Sequence, residues 1–172
     1  NRGFVNLYFT DEGVIFDMAK GEYRFEDYLR YINGERVVKP EKIKRLLFKL
    51  KLENSLRYKK VNGVGREVTK VSYLKGEDPR RWVKDVSTYS GVMYENVYRG
   101  IDLVFKRYGE RLKYEFIVRP GGDPKDILLS YEGIEGLQVL GSGDLVVHTK
   151  FGVMFDKKPI AYQEVDGIMV PI

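Results

Sequence analysis

The sequence predicts an all-β domain: an antiparallel β-sandwich or related two-sheet fold built from hairpins, with one or two short helices. Three observations carry that prediction. Apolar and polar residues alternate with period two, most cleanly in Phe48-Lys49-Leu50-Lys51-Leu52, a pattern that buries one face of a strand and wets the other. The dipeptides Asn33-Gly34, Asn62-Gly63 and Asp166-Gly167 stand beside apolar and aromatic runs. Such dipeptides suit tight hairpins in which both turn residues take positive φ. Helical spacing, finally, is scarce.

In chain order, Phe4 to Phe9 and Gly13 to Met18 read as a first hairpin turned by Thr10-Asp11-Glu12-Gly13. Arg24 to Tyr31 is the best helix candidate, because Phe25, Tyr28, Leu29 and Ile32 recur at i, i+3, i+4 and i+7. Asn33-Gly34 is expected to turn Tyr31-Ile32 back onto Val37-Val38. The stretch Glu41 to Leu47 continues into an alternating segment and is read as strand. The Gly and Asn content of residues 59 to 66, Asn62-Gly63 included, reads as a loop. Asp78-Pro79 and Asp123-Pro124 each put Asp at an N-cap and Pro at the first helical position, so each is read as a single helical turn. Trp82, just after the first, is expected to anchor that turn onto the core.

The sharpest expectation is the hairpin Ile101 to Val118. A two-residue turn at Gly109-Glu110 pairs Ile101 with Val118, Leu103 with Phe116 and Phe105 with Tyr114 on one face. Asp102, Lys106, Lys113 and Glu115 then fall on the other. A one-residue slip would send every apolar member to water, so the register is well specified. Asp144 to Thr149 alternates again after Gly141-Ser142-Gly143, and Asp166-Gly167 closes a last hairpin between Ile160-Ala161-Tyr162 and Ile168-Met169-Val170.

At 172 residues with 43% hydrophobic content the chain is long and apolar enough for a real core, which excludes a disordered tail. No apolar run approaches a membrane helix. Charged residues make up 32%, above the usual ~25%, with both signs mixed along the chain. That reads as an ion-pair-laced surface of the kind found in heat-tolerant proteins. A net charge of +5 without a dense basic stripe argues against a nucleic-acid partner. With no cysteine there are no disulfides, thiolate nucleophiles or sulfur-ligated zinc. Because it starts at Asn1 without an initiator Met and ends at Pro171-Ile172, the chain reads as one domain, residues 1–172, of a longer polypeptide.

From Ser72 the chain reads Ser-Tyr-Leu-Lys-Gly-Glu-Asp-Pro-Arg-Arg-Trp-Val-Lys-Asp-Val, then Ser-Thr-Tyr-Ser-Gly-Val-Met-Tyr-Glu-Asn-Val-Tyr-Arg-Gly-Ile-Asp-Leu-Val-Phe. This resembles the N-terminal domain of unknown function that stands ahead of SBBP (β-propeller) repeats in bacterial surface and secreted proteins. The likeness continues through Leu112 to Pro124, Gly143-Asp144-Leu145-Val146 and Lys158 to Gln163. It is dense over residues 69–164 and looser before them. Two departures are the turn Tyr108-Gly109-Glu110 and the Lys-rich stretch from Lys39 to Lys60. The resemblance implies an exported, cell-surface or secreted parent with repeat domains downstream as partners, and no transferable activity.

Candidate site residues are few. His148, the only histidine, falls out of phase with Leu145 and Val147 and is read as a surface or edge residue with no metal or triad partners. Asp102 and Glu115 share a hairpin face and form a possible glycosidase-like carboxylate pair, but Lys106 and Lys113 on that face supply ordinary ion partners. Asp78, Asp123 and Asp126 lack a D-x-D-x-D-G calcium loop and are read as caps and turns. The aromatics are the most suggestive class: Trp82, Tyr89, Tyr94, Tyr98 and Tyr108 cluster within 30 residues. Exposed, they would make a platform for a surface glycan or a protein; packed, they would fill the sheet. The expectation is therefore a non-catalytic structural or interaction module without metal or cofactor. Its alternatives are carbohydrate binding through the aromatic face and a hydrolase using Asp102 and Glu115.

Overall fold

The computed structural model describes residues 4–22, 24–34, 42–57, 59–109 and 111–172. It is all-β. Strands β1 (Phe4–Thr10), β2 (Gly13–Glu22), β3 (Lys42–Leu52) and β8 (Leu129–Glu132) form one sheet in the order β1-β2-β3-β8. Strands β4 (Lys60–Tyr73), β5 (Val83–Tyr98), β6 (Ile101–Tyr108) and β7 (Arg111–Val118) form a second, in simple sequence order. Strands β9 (Gly136–Val139), β10 (Leu145–Thr149) and β11 (Gly152–Asp156) make a three-stranded sheet, and β12 (Tyr162–Val165) with β13 (Ile168–Pro171) a two-stranded one. Helix α1 spans Phe25–Ile32.

The chain divides into two compact units, one holding residues 1–5, 17–48 and 132–172, the other residues 6–16 and 49–131. In the second unit the core lies between two sheets. Phe9 sits 5.2 Å from Phe105 and 6.4 Å from Tyr94, ring centre to ring centre. Phe105 continues to Tyr114 at 5.7 Å, its directly opposite neighbour on β7. Val14, Leu50, Leu52, Val97, Tyr98, Ile101 and Leu103 complete this core. The Tyr94 hydroxyl lies 2.9 Å from the Gly13 carbonyl and 3.0 Å from that of Thr10, and that of Tyr98 donates to Leu128 at 2.8 Å. Burial raises the pKa of both phenols, that of Tyr94 strongly, so they stay neutral donors. In the first unit Val146 and Val147 are buried on opposite faces of β10, the central strand of its sheet. There Asp17, 1% exposed, is ion-paired with Arg45.

The hairpin from Ile101 to Val118 has the expected register: Ile101–Val118, Leu103–Phe116 and Phe105–Tyr114 are direct partners. Tyr108 opposite Arg111 leaves a two-residue turn, whose Glu110 lies outside the described residues. Asp166 and Gly167 both take positive φ, 51° and 79°, as the last hairpin turn requires. Asp78 and Asp123 cap single 3-10 turns through the backbone N–H groups of Arg80 and Lys125.

Four expectations are corrected. Asn33-Gly34 does not turn a hairpin: Tyr31 and Ile32 end α1, and Gly34 at φ 82° stops the helix in the left-handed conformation. Val37-Val38 lie outside the described residues. Residues 60–66 are not a loop but the start of β4, with Asn62 opposite Met93 and Gly63 opposite Val92. The glycines there make room for neighbours: a Cβ on Gly63 would stand 2.4 Å from the Tyr89 ring, and one on Gly65 would stand 2.1 Å from the Ser90 hydroxyl. Strand β6 is not wetted on one face at its start, because Asp102 and Val104 are as buried as Ile101, Leu103 and Phe105. Trp82 does not reach the core. Half-buried, it donates from Nε1 to the Gly76 carbonyl at 3.1 Å and so closes its own loop.

Candidate functional site

The most distinctive surface is built by a mismatch of strand lengths. Strand β5 has 16 residues and β4 has 14, but β6 has 8 and pairs β5 only from Gly91 onward. From Val83 to Tyr89, β5 therefore runs beside β4 alone, as a two-stranded ribbon. Its register shifts between Arg66 and Lys70 and again between Val71 and Tyr73. At the second shift Asp85 takes φ 57° and donates its backbone N–H to the Ser72 hydroxyl at 3.2 Å. The extra residue rotates Val83 back to the side already occupied by Val86.

That bulge decides the chemistry of the ribbon. Val71 faces Val86 and Tyr73 faces Val83, so four apolar side chains share one face, while Lys70 and Ser87 face each other on the opposite one. Tyr73 and Val83 are 52% and 55% exposed, and Val71 and Leu74 are also exposed. The polar framework is local: Arg66 donates to the Ser87 hydroxyl at 3.0 Å, and Thr88 Oγ1 donates to the Thr69 carbonyl at 2.7 Å. Beyond the ribbon, Asp78 is ion-paired with Arg80, which holds its carboxyl below the usual carboxylate range, and the Lys84 ammonium sits 5.4 Å from the centre of the Trp82 ring.

The five aromatics picked from sequence do not form one platform. Tyr94 and Tyr98 are core residues, 0% and 3% exposed, and that part of the binding-site expectation is overturned. Tyr89 is half-exposed with its ring laid against Gly63. Tyr108, 78% exposed, stands at the β6–β7 turn, and Trp82 belongs to the loop beyond the ribbon.

The carboxylate pair resolves into two separate ion-pair sites. Asp102 accepts the backbone N–H of Asn96 at 2.7 Å and is ion-paired with Arg119. Glu115 lies 2.7 Å from the Lys113 ammonium and 3.7 Å from that of Lys106. The hydrogen bond from Lys113, reinforced by both positive charges, holds the Glu115 carboxyl below its ordinary range. A glycosidase acid needs the opposite shift. A carboxyl depressed in the folded state stabilises that state above its unfolded pKa and stops doing so as pH falls through the folded value. Glu115→Gln is therefore expected to cost stability at neutral pH and to flatten the loss below a pH of about 4.5, the ordinary value for Glu. Chemical denaturation at a series of pH values measures this; parallel curves for both proteins would refute it.

His148 stands opposite Val153 on one side and Gly136 on the other, half-buried and out of phase with Val147. Among the described residues no three His, Asp or Glu side chains gather as a metal site, and no helix is long and apolar enough to cross a membrane. Among the described residues, a shallow concavity lined by Thr10, Glu12, Gly13, Lys49 and Leu50 among others has no room for a water molecule. Sequence reasoning missed the ribbon and the cluster around Asp102. The ribbon's signal was only partial: Val71-Ser72-Tyr73 alternates, but the three-residue step from Val68 to Val71 breaks the period.

Fold and surface together define an all-β domain whose most distinctive exposed feature is a ribbon rather than a pocket. The chain belongs to the family described as domain of unknown function DUF7948, whose model matches residues 2–172. No curated protein and no solved structure matches the chain.

Proposed function

We propose that this domain is a non-catalytic structural and interaction module of an exported bacterial protein, cell-surface or secreted, and that it stands ahead of SBBP-type β-propeller repeats. The observation that carries the reading is the apolar face of the β4–β5 ribbon beyond the end of β6, where Val71, Tyr73 and Val83 are exposed and Val86 is half-buried beside them. A two-stranded ribbon is marginal by itself in water. Apolar side chains gathered on one face are the usual mark of a surface that meets another protein. The likeness of residues 69–164 to domains that precede propeller repeats supports the choice of setting, and it covers this ribbon.

The test is a photo-activated cross-linker placed at Tyr73 in the intact parent protein, in the producing cells. The expected product joins the ribbon to a repeat of the same polypeptide or to a neighbouring surface protein, and Val83→Ser lowers its yield at least fivefold. A parent retained in the cytoplasm, or a cross-linking yield that Val83→Ser leaves unchanged, overturns the proposal.

A further inference from the structure

The two-stranded sheet β12–β13 has no buried residue. Its apolar side chains are nonetheless many: Ile160, Val165, Ile168, Met169, Val170 and Ile172 are between 37% and 83% exposed. Ile168 to Ile172 is a continuous apolar run without alternation, the pattern of strands covered on both faces. A hairpin of two strands does not reach independent stability, whereas three or four strands with an apolar face do.

The hydrogen-bond pattern shows which edge is open. The backbone N–H of Ile172 donates to Ala161 at 3.1 Å, so Ala161 and Ile172 form a hydrogen-bonded pair. Tyr162–Pro171, Gln163–Val170, Glu164–Met169 and Val165–Ile168 are the successive partners, so hydrogen-bonded pairs alternate with open ones from there. Gln163 and Val165 therefore point their N–H and C=O groups at β13, and Tyr162 and Glu164 point theirs outward. On β13 the outward residues are Met169 and Pro171. Pro171 has no N–H to offer, which blocks that edge in the way edge strands are commonly protected. The edge of β12 carries its full set of donors and acceptors.

We infer that β12 pairs with β12 of a second copy of this chain, across a two-fold axis at Gln163. In that register Tyr162 exchanges both hydrogen bonds with Glu164 of the second copy, and Glu164 with its Tyr162. The two Gln163 side chains lie side by side as amide partners. No like charges stand opposite one another, which is the condition cross-strand pairs impose. The result is a four-stranded antiparallel sheet. Because one edge is open and the other blocked, assembly stops at two copies instead of running on as a fibre.

This inference names a partner for a different surface from the one that carries the proposed function, so the two fail separately. Sedimentation velocity of the chain over a concentration series is expected to show a monomer–dimer equilibrium. Glu164→Pro removes an outward N–H at an open pair, as Pro171 does on β13, and so spares the hairpin's own ladder. It is expected to raise the dimer Kd at least tenfold with the circular dichroism spectrum and unfolding midpoint unchanged. Pro171→Val restores the missing donor and is expected to yield species larger than dimers. A monomer at every concentration overturns the inference. So does a dimer indifferent to Glu164→Pro, a Pro171→Val protein that stays dimeric, or an intact parent that is monomeric with its β12 amides already protected from hydrogen exchange.

Discussion

Replacing Arg119 by alanine is expected to lower stability by about 3 kcal/mol or more, while replacing its ion-pair partner Asp102 by alanine costs about 2–3 kcal/mol. The asymmetry follows from where the two side chains sit. The Asp102 side chain is 5% exposed and that of Arg119 is 63% exposed. Arg119→Ala leaves the Asp102 carboxylate buried without its counter-ion, the case that costs ~3–5 kcal/mol, whereas after Asp102→Ala the Arg119 side chain returns to water at little cost. What is stranded is the backbone N–H of Asn96, which donates to Asp102 at 2.7 Å. Asn96 is itself held at φ 52°, and its side chain accepts the N–H of Gly100 at 3.2 Å. Gly100 in turn accepts Arg119 N–H at 2.9 Å. The corner between β5 and β6 is therefore one connected unit with Asp102 as its inner member. Asp102→Asn keeps an acceptor for Asn96 and leaves no buried charge, so it is expected to lose less than either other variant. Urea denaturation of the three proteins measures the order. At roughly 2–4 °C per kcal/mol for a chain of this size, Asp102→Ala should also melt about 5–10 °C lower. A loss for Arg119→Ala well below that for Asp102→Ala would mean that Arg119 is not what neutralises the buried carboxylate.

That corner shows where sequence reading stops. Period-two alternation gives strand register directly, because one slip inverts both faces, and so Phe105 opposite Tyr114 was legible from the residues alone. The same logic places Asp102 with Lys106 on a wet face. It fails there because burial of Asp102 depends on Asn96 and Arg119, six residues before it and seventeen after, meeting it in space. Asn62-Gly63 fails for a related reason. The dipeptide suits a turn by its own preferences, yet the Tyr89 ring lies where a Gly63 Cβ would be, so a contact across the sheet decides its place. Asp166-Gly167, with no such contact, keeps its intrinsic turn conformation.

The candidate surface was legible in composition but not in arrangement. Trp82, Tyr89, Tyr94, Tyr98 and Tyr108 are close in sequence, but the five are divided among the loop beyond the ribbon, the ribbon's last pair, the core and the β6–β7 turn. The face that is open is made instead by Val71, Tyr73 and Val83, with Val86 half-buried on the same side. They share it only because Asp85 adds a residue to β5 at positive φ. A single inserted residue changes which side chains face water, and no local preference of Lys84-Asp85-Val86 announces it.

The largest single loss is expected at Gly13. Alanine there would place its Cβ 2.1 Å from the backbone carbonyl oxygen of Leu50 and 3.1 Å from Lys51 Cα, with φ at 142°. Side chains can turn aside from a clash, but here the obstacle is the backbone of β3, anchored by Leu50 and Leu52 in the core. Nor can Gly13 retreat freely. Its carbonyl oxygen lies 2.9 Å from the Tyr94 hydroxyl and accepts Thr10 Oγ1 at 3.0 Å, so moving it strips a buried phenol of an acceptor. Leu52 N–H also bonds the Glu12 carbonyl at 3.0 Å, fixing the same approach one residue away. Strain at a glycine-only φ, backbone overlap and loss of the Tyr94 bond together put Gly13→Ala at ~4 kcal/mol or more, the range reserved for a few severe mechanisms. Gly136 supplies the control, since a Cβ there meets nothing within 4 Å and its φ lies outside the left-handed region. Gly136→Ala should be neutral, or stabilising by up to ~0.4–1 kcal/mol through the unfolded chain. Urea unfolding of both variants, with soluble yield at a low expression temperature as the second readout should Gly13→Ala not accumulate, decides the matter. Comparable midpoints for the two would show that β2 and β3 are not held at the distance that makes Gly13 indispensable.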